Sequence, residues 1–352
     1  HEWCGTVSKV GDGVDKKWIG KRVTGDTMLG CQKCKRCRSG LQHVCADRFE
    51  IGIRNGWPGA LAEQLLVPEF ALHELPDSID DTVGALIEPG GNSLRSAQAA
   101  HAGPGKKVLV WGSGTIGLLT AQFALAMGAE VHMVGRNPAT LSLAKDLGVH
   151  FSTQEFEEVD GGFDAIIDAT NSAAVPAEAL ARVEPGGRVV YIGVSGVPST
   201  LDSRSLVLKD VTAVGILSAS PGLRGTIDFY SRGEIDPRPI VAATVGLSKT
   251  SDVLSGKKIE GAGIGPKIHI DPRIIRRIRL GHFLRPILQI HHARGRAAND
   301  GLWQGEEAID LEHVEHGVRN RLITTLGMAT AERIAPAEMH SDTHVGRTIG
   351  NR

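Results

Sequence analysis

Four of the five cysteines in this 352-residue chain fall within fifteen positions, in GCQKCKRCRSGLQHVC, as Cys31-x2-Cys34-x2-Cys37-x7-Cys45. Two-residue spacers let neighbouring thiolates turn inward onto one ion, and the longer spacer closes the fourth corner of a tetrahedron. Lys33, Lys35, Arg36 and Arg38 stand between these residues and would offset the negative charge left by four thiolates around one divalent cation. With all four positions filled by protein, the expected site is a structural zinc lobe. Two adjacent disulfides and an iron–sulfur cluster are the rival chemistries. Cys-x2-Cys pairs are poor disulfide partners, and neither a Pro after the last cysteine nor a second cluster motif accompanies the run. Cys4 lies apart and is expected to be a small buried apolar residue.

A second stretch, KVLVWGSGTIGLLTAQFALAMGAEVHMVG over 107–135, is suited to holding a phosphorylated ligand. The apolar run Val108–Trp111 predicts a buried parallel strand. Gly112-x-Gly114-x-x-Gly117 then opens an apolar helix that ends near Gly128, and Val131–Val134 predicts the next strand. Between a strand and a helix, such glycines let the backbone approach a pyrophosphate. The amides of Thr115, Ile116 and Gly117 at the helix start supply donors and a favourable dipole. The bland alternative is that the glycines merely ease helix–strand packing. Where dinucleotide folds take NAD, the second strand ends in Asp or Glu about 20 residues beyond the turn. Gly135 and then Arg136 stand here instead. Gly135 is expected to leave space and remove a repulsive charge, and the Arg136 guanidinium to pair with a 2′-phosphate, with Asn137 as a further donor. NADP is therefore expected in preference to NAD, unless Arg136 points into solvent.

These residues need a framework, and the chain supplies strand–helix alternation. Strands are predicted at 163–170, 187–193 and 211–216, with a helix over 174–183, which together give an α/β, doubly wound parallel (Rossmann) sheet. Dinucleotides lie across the carboxyl ends of such strands, so Asp168, Thr170, Gly193 and Val194 are further contact candidates. A net charge of −1 and 41% hydrophobic residues point to neither nucleic acid nor a membrane surface as partner. No apolar run approaches the roughly 18 residues of a membrane span, and no cleavable signal sequence is recognised. The chain is read as cytoplasmic.

A four-cysteine zinc lobe followed by a dinucleotide fold resembles the zinc-dependent medium-chain alcohol and polyol dehydrogenases, and the likeness runs from His1 to about Arg273. HEWCGTV is similar to the family's Gly-His-Glu segment without its Gly. IGKRVTGD is similar to its buried turn, GALAEQLLVP to its strand into the core, and ALIEPGGNSLRSA to the segment leading into the cofactor domain. GPKIHIDP is similar to the final strand of its catalytic domain. The resemblance implies a split, mainly β, GroES-like catalytic domain over 1–95 and 236–273, with the zinc lobe at 30–45 and the cofactor domain at 96–235. It also implies a second, catalytic zinc held by His1 and Glu88, with Glu2 as ligand or near neighbour, and a remaining ligand cysteine expected to precede residue 1. By this likeness the chain is an N-terminally truncated and impaired form. Homo-oligomers, dimers or tetramers, are usual in the family. Gly90, Gly91 and Asn92 depart from its commoner apolar pattern, and Asn92 is expected either to bond a substrate hydroxyl or to serve a turn.

The expected activity is reversible hydride transfer between an alcohol or sugar polyol and NADP(H). A non-catalytic zinc- and dinucleotide-binding fragment, or a zinc-independent NADPH quinone reductase, are the alternatives. Beyond Arg273 the composition changes: the first 273 residues hold 14 Lys and 14 Arg, and the tail 274–352 holds no Lys and 11 Arg. In it Leu311, Val314, Val318 and Leu322 predict one amphipathic helix, with His313 and His316 on a solvated face. No function is expected of the tail.

Overall fold

The protein is described from a computed structural model over residues 1–159 and 161–274; the helix expected within 305–326 lies outside the described residues. Thirteen strands appear among them. The first five are β1 (Gly5–Thr6), β2 (Arg22–Gly25), β3 (Met28–Leu29), β4 (Phe49–Glu50) and β5 (Leu72–Glu74). Six more, β6 (Lys107–Trp111), β7 (Glu130–Val134), β8 (Phe151–Thr153), β9 (Phe163–Asp168), β10 (Val183–Tyr191) and β11 (Thr212–Gly215), build the large sheet. A last pair is β12 (Val241–Val245) and β13 (Lys267–Ile270). The helices are α1 (Lys35–Arg38), α2 (Asp81–Ala85), α3 (Ile87–Ala99), α4 (Thr115–Ala126), α5 (Pro138–Asp146), α6 (Val175–Arg182), α7 (Arg204–Leu208), α8 (Leu223–Ser231) and α9 (Thr250–Leu254). None of the described helices is long and apolar enough to cross a membrane.

The large sheet has the order β11-β10-β9-β6-β7-β8, every pair parallel. That is the doubly wound order in which the chain starts at the centre and works outward twice. Its central strands β6 and β9 are largely apolar and buried because both faces are covered there. Val108, Val110, Ala165, Ile167 and Val190 pack with α3, α4 and α8 residues, whereas Leu109, Ile166, Val189 and Phe163 pack with Ala179 of α6. The short strand β8 was not among the expected elements; three residues are too few to show a period.

The rest of the chain forms small sheets: antiparallel β1-β2-β5 and β3-β4, and parallel β12-β13. One expectation fails here. The segment within GALAEQLLVP forms no strand. Its Leu65 and Val67 turn onto Trp3 and Val23 while Leu66 stays 75% exposed, so an in–out alternation survives without a hydrogen-bonded neighbour. A bond from Trp57 Nε1 to the Leu66 carbonyl, 3.1 Å, helps tie it down.

Candidate active site

The four cysteines converge as their spacing requires. Their sulfur atoms all lie within 4.8 Å of one another, with Cys31–Cys37 at 3.9 Å and Cys34–Cys45 at 3.8 Å. A Zn–S bond of about 2.3 Å puts tetrahedral sulfur atoms roughly 3.8 Å apart, so the cluster has the dimensions of a zinc site. Among the described residues the cysteines are free thiols, which leaves the disulfide alternative without support. The Cys34 amide points at Cys31 Sγ and the Cys37 amide at Cys34 Sγ, both at 3.4 Å. Amides of Lys33 and Cys34 pull the Cys31 thiol down to about 6, while burial and then the neighbouring Cys34 push Cys37 up to about 12. Four thiolates this close would repel one another, so holding all four ionised calls for a cation between them. Cys4 is buried and its thiol is pushed above the usual range by burial, as a packing residue should be.

The glycine turn divides its labour by position. Gly112 has φ +116°, and a Cβ there would meet the Ala169 carbonyl at 2.7 Å. Gly117 packs so closely that a Cβ would overlap the Gly112 carbonyl, whereas Gly114 has nothing within 4 Å and leaves the helix start open. Gly114 is the N-cap of α4 and offers no side chain to its first amides, and Thr115 Oγ1 is buried with no partner among the described residues. Orphan donors at an uncapped helix start are what a phosphate satisfies.

The other cofactor candidates fall into two groups. Thr170 and Gly193 lie just beyond the carboxyl ends of β9 and β10, and Val194 beside them is 83% exposed. Asp168 is buried and its Oδ1 accepts from both Thr170 N (2.9 Å) and Thr170 Oγ1 (2.7 Å), so it shapes the turn. At the end of β7 the expected space beside Gly135 is absent. A Cβ on Gly135 would lie 2.3 Å from Ser113 Oγ, so Ser113 fills the position where a carboxylate would sit. Ser113 Oγ is held by a 2.7 Å bond from Thr140 Oγ1. Arg136 is exposed, and Asn137 Oδ1 accepts from Ala139 N at 2.9 Å as the N-cap of α5, a bond that engages its oxygen and not its amide nitrogen.

A third cluster gathers at His1. Its Nδ1 faces Glu88 Oε1 at 3.8 Å, and its Nε2 lies 3.1 Å from Glu50 Oε1. Glu88 is in the first turn of α3 and is 4% exposed. Burial lowers His1, but the bond to Glu50 and the charges of Glu88, Glu50 and Glu2 outweigh it, and the imidazole ends above its ordinary value. Burial pushes the Glu88 carboxyl well up, against the opposing charge of His1. The His1 bond holds Glu50 below its usual range. Glu2 does not hydrogen-bond into this group: both its oxygens are held by Lys267 Nζ at 2.8 Å. Imidazole and carboxylate are both chemistries that bind divalent cations, and His1 and Glu88 bring one of each together.

Glu50 and Lys267 were not anticipated from sequence; the only hint of Glu50 was a carboxylate between the apolar Phe49 and Ile51. Asn92 is neither a turn residue nor an open donor. Its Nδ2 donates to Glu88 Oε1 at 3.2 Å, one helical turn away. Gly90 and Gly91 serve packing: a Cβ on Gly90 would lie 2.5 Å from the Tyr230 hydroxyl, and one on Gly91 would lie 2.9 Å from the Ala219 carbonyl.

Both parts of the fold have counterparts among known proteins. Residues 1–77 match the alcohol dehydrogenase GroES-like domain and residues 115–232 the zinc-binding dehydrogenase family. An L-threonine 3-dehydrogenase of Rhizobium rhizogenes is 27% identical over 287 residues, covering 77% of this chain and 80% of that protein. One from Sinorhizobium medicae is 29% identical over 279 residues, covering 75% and 79%. Among solved structures, a zinc-binding dehydrogenase of Sinorhizobium meliloti bound to NADP superposes with a TM-score of 0.69 at 27% identity, covering 77% of this chain and 82% of that one. An Escherichia coli alcohol dehydrogenase complexed with NADH gives 0.70 at 25% identity, covering 75% and 81%. With a six-stranded doubly wound sheet, a closed four-thiol lobe and matches to both family models, the chain belongs to the zinc-dependent medium-chain dehydrogenases.

Proposed function

We propose that the protein is an oxidoreductase that moves a hydride between an alcohol, in the polyol class, and NADP(H). One observation carries this reading. Ser93 Oγ lies 2.9 Å from the Pro89 carbonyl and 3.2 Å from the Ile116 carbonyl, so α3, which bears Glu88, is bonded to the first turn of the glycine-turn helix. The metal donors and the dinucleotide donors thus share one rigid joint, as a transfer between two bound partners requires.

In this reading Cys31, Cys34, Cys37 and Cys45 hold a structural zinc. His1 and Glu88 hold a second one, with Glu2 beside them in its ion pair with Lys267. A zinc ion there supplies a Lewis acid for an alcohol oxygen, and the nicotinamide supplies the hydride acceptor. The chain's own residues do the positioning. Asn92 fixes the Glu88 carboxylate, and the amides of Thr115, Ile116 and Gly117 with the Thr115 hydroxyl bind pyrophosphate. Thr170, Gly193 and Val194 border the dinucleotide. Arg136 pairs with a 2′-phosphate, and the Ser113 hydroxyl keeps a carboxylate out of the position where it would repel that phosphate. Residues 1–95 and 236–273 form the substrate side and 96–235 the cofactor side, in a homo-oligomer.

Two alternatives lose ground. A zinc-independent quinone reductase has no use for the four-thiol cluster, and a purely structural module has none for the His1–Glu88 pair. The test is oxidation of polyols and of L-threonine by the zinc-loaded chain, followed by nicotinamide absorbance with NADP and with NAD. Turnover favouring NADP supports the reading. Tight dinucleotide binding without turnover on any alcohol would leave the binding module instead.

A further inference from the structure

We propose that Asp26 is a positioning residue for the cofactor: its buried carboxylate fixes the loop 216–220 at the nicotinamide end of the dinucleotide. The inference rests on the reading that a dinucleotide lies along the large sheet. It adds a residue from the substrate side of the molecule that neither the glycine turn nor the metal candidates involve.

The sheet order gives the direction. The glycine turn follows β6 and Gly135 follows β7, so the pyrophosphate and the adenosine ribose would occupy that half of the sheet. A dinucleotide spread over the carboxyl ends of the strands then has its nicotinamide half over β9, β10 and β11. Residues 216–220 follow β11, with the Ile216 amide still in the ladder and donating to the Tyr191 carbonyl at 2.9 Å. Leu217 beside it is 48% exposed, whereas Ser218 and Ser220 are buried. Ser218 has φ +74°, a left-handed conformation that a serine holds only where its surroundings impose it.

Asp26, buried in the turn between β2 and β3, supplies the constraint. Its Oδ1 accepts from Ser220 Oγ at 2.7 Å, across 194 positions of sequence, and from Met28 N at 2.9 Å. Its Oδ2 accepts from Gln42 Nε2 at 3.0 Å, and Gln42 stands between Cys37 and Cys45 in the lobe. A carboxylate accepts, so the Ser220 hydroxyl donates to Asp26, and Ser218 Oγ in turn donates to Ser220 Oγ at 2.8 Å while accepting from Ser220 N at 3.1 Å. The chain of hydroxyls runs one way and ends on a carboxylate anchored to the β3 turn and to the lobe. Bonds to a charged group away from water are the strong ones. On its other side the loop is held by α3, where Arg95 Nη1 donates to the Leu217 carbonyl at 2.6 Å and to the Ser218 carbonyl. Cutting the Asp26 link frees the nicotinamide end of the groove and leaves the glycine turn untouched.

The experiment is calorimetric titration of the full chain, with zinc in the lobe, by NADPH and NADH and by their nicotinamide-free fragments, 2′-phospho-ADP-ribose and ADP-ribose. The chains are the unaltered one, Ser220→Ala, Asp26→Ala and Asp26→Asn, and retained lobe zinc reports that the fold survives. Ser220→Ala and Asp26→Ala should weaken the whole cofactors by about tenfold, the share of one bond to a charged group, and leave the fragments as tight as before. Asp26→Asn keeps an acceptor oxygen for Ser220 and should recover most of the loss. A merely structural Asp26 would move cofactor and fragment together, or neither. If Ser220→Ala, the gentler substitution, weakens cofactor and fragment equally, or leaves the cofactor as tight as in the unaltered chain, the role given to Asp26 is wrong and the dinucleotide reading stands. If the unaltered chain binds no dinucleotide, that reading falls and this inference with it.

Discussion

Placing an aspartate at position 135 asks why this chain lacks one. A Cβ there would lie 2.3 Å from Ser113 Oγ, 2.6 Å from Ser113 Cβ and 3.1 Å from Ser113 N. The first two approaches are impossible without movement, and the third asks the backbone to give by a few tenths of an ångström. Ser113 cannot swing aside freely, because its hydroxyl is held in a buried 2.7 Å bond with Thr140. Overpacking of this kind costs about 1–3 kcal/mol. At roughly 2–4 °C per kcal/mol for a domain of this size, Gly135→Asp alone should lower Tm by several degrees. It should also weaken both cofactors, since the strained turn carries the pyrophosphate amides. Ser113→Gly removes the two closest contacts and leaves the 3.1 Å one, so Ser113→Gly/Gly135→Asp should recover most of the loss. The coupling between the two substitutions should be about 1–2 kcal/mol. Only the double variant should move the ratio of NADP to NAD affinity toward NAD. The assays are thermal unfolding of the four chains in the cycle and calorimetric titration with each cofactor. A Gly135→Asp chain as stable as the unaltered one, or a strain that Ser113→Gly does not relieve, would refute the account of Ser113 as the filler.

Other outcomes follow from the same coordinates. Cys37→Ser should release one zinc per chain and lower Tm, because its sulfur is 3.9 Å from Cys31 within a closed set; metal analysis with an unfolding curve decides it. Gly91→Ala tests packing against propensity. An alanine inside a helix ordinarily gains about 1 kcal/mol over glycine, but here its Cβ would sit 2.9 Å from both Ala219 Cβ and the Ala219 carbonyl, so denaturant unfolding should show a net loss. His269, 1% exposed, is lowered to about 3 by burial first and then by the charge of Lys267. Its folded pKa lies below the ordinary 6.5, so its stabilising share is complete above that value and is lost as pH falls toward 3. Each pH unit in that window is worth about 1.4 kcal/mol, so urea unfolding should lose about 2 kcal/mol between about pH 7 and about pH 5, a slope that His269→Leu should flatten.

How much of this was legible in the sequence depended on distance along the chain. The Cys31–Cys45 lobe and the Gly112–Gly117 turn are local devices: their ligands and amides come from adjacent residues, so residue type and spacing suffice. Their surroundings were legible too, because strands buried on both faces read as continuous apolar runs. What escaped was partnership at long range. Glu50 meets His1 across a separation of 49 positions and Lys267 meets Glu2 across 265, and no local pattern marks either pair. The glycines misled in the other direction. Gly135 suggested an empty pocket and Gly90–Gly91 an altered substrate site, whereas each makes room for a neighbour: Ser113 at Gly135, Tyr230 and Ala219 at the other two. A glycine records that space is needed, and only the fold says what takes it.

The same distinction bears on how the His1 cluster is assembled. Glu50 comes from β4, Glu88 from α3, Glu2 and His1 from the segment before β1, and Lys267 from β13. Four separate pieces of chain meet there. Each charged member is already answered by a fixed partner: Glu2 by Lys267, Glu88 by Asn92, Glu50 by His1. Burying carboxylates this close is unfavourable unless hydrogen bonds or opposite charge compensate them. These partners hold the cluster together by themselves, so in the proposed reading an ion would find it already formed. By contrast the thiols are answered by backbone amides, those of Lys33, Cys34 and Cys37 among them, and by one another, with no opposite charge, so in the proposed reading the lobe depends on the ion itself. In the proposed reading one chain thus holds two kinds of metal site: a lobe that zinc completes, and a cluster whose charges are answered before any ion arrives.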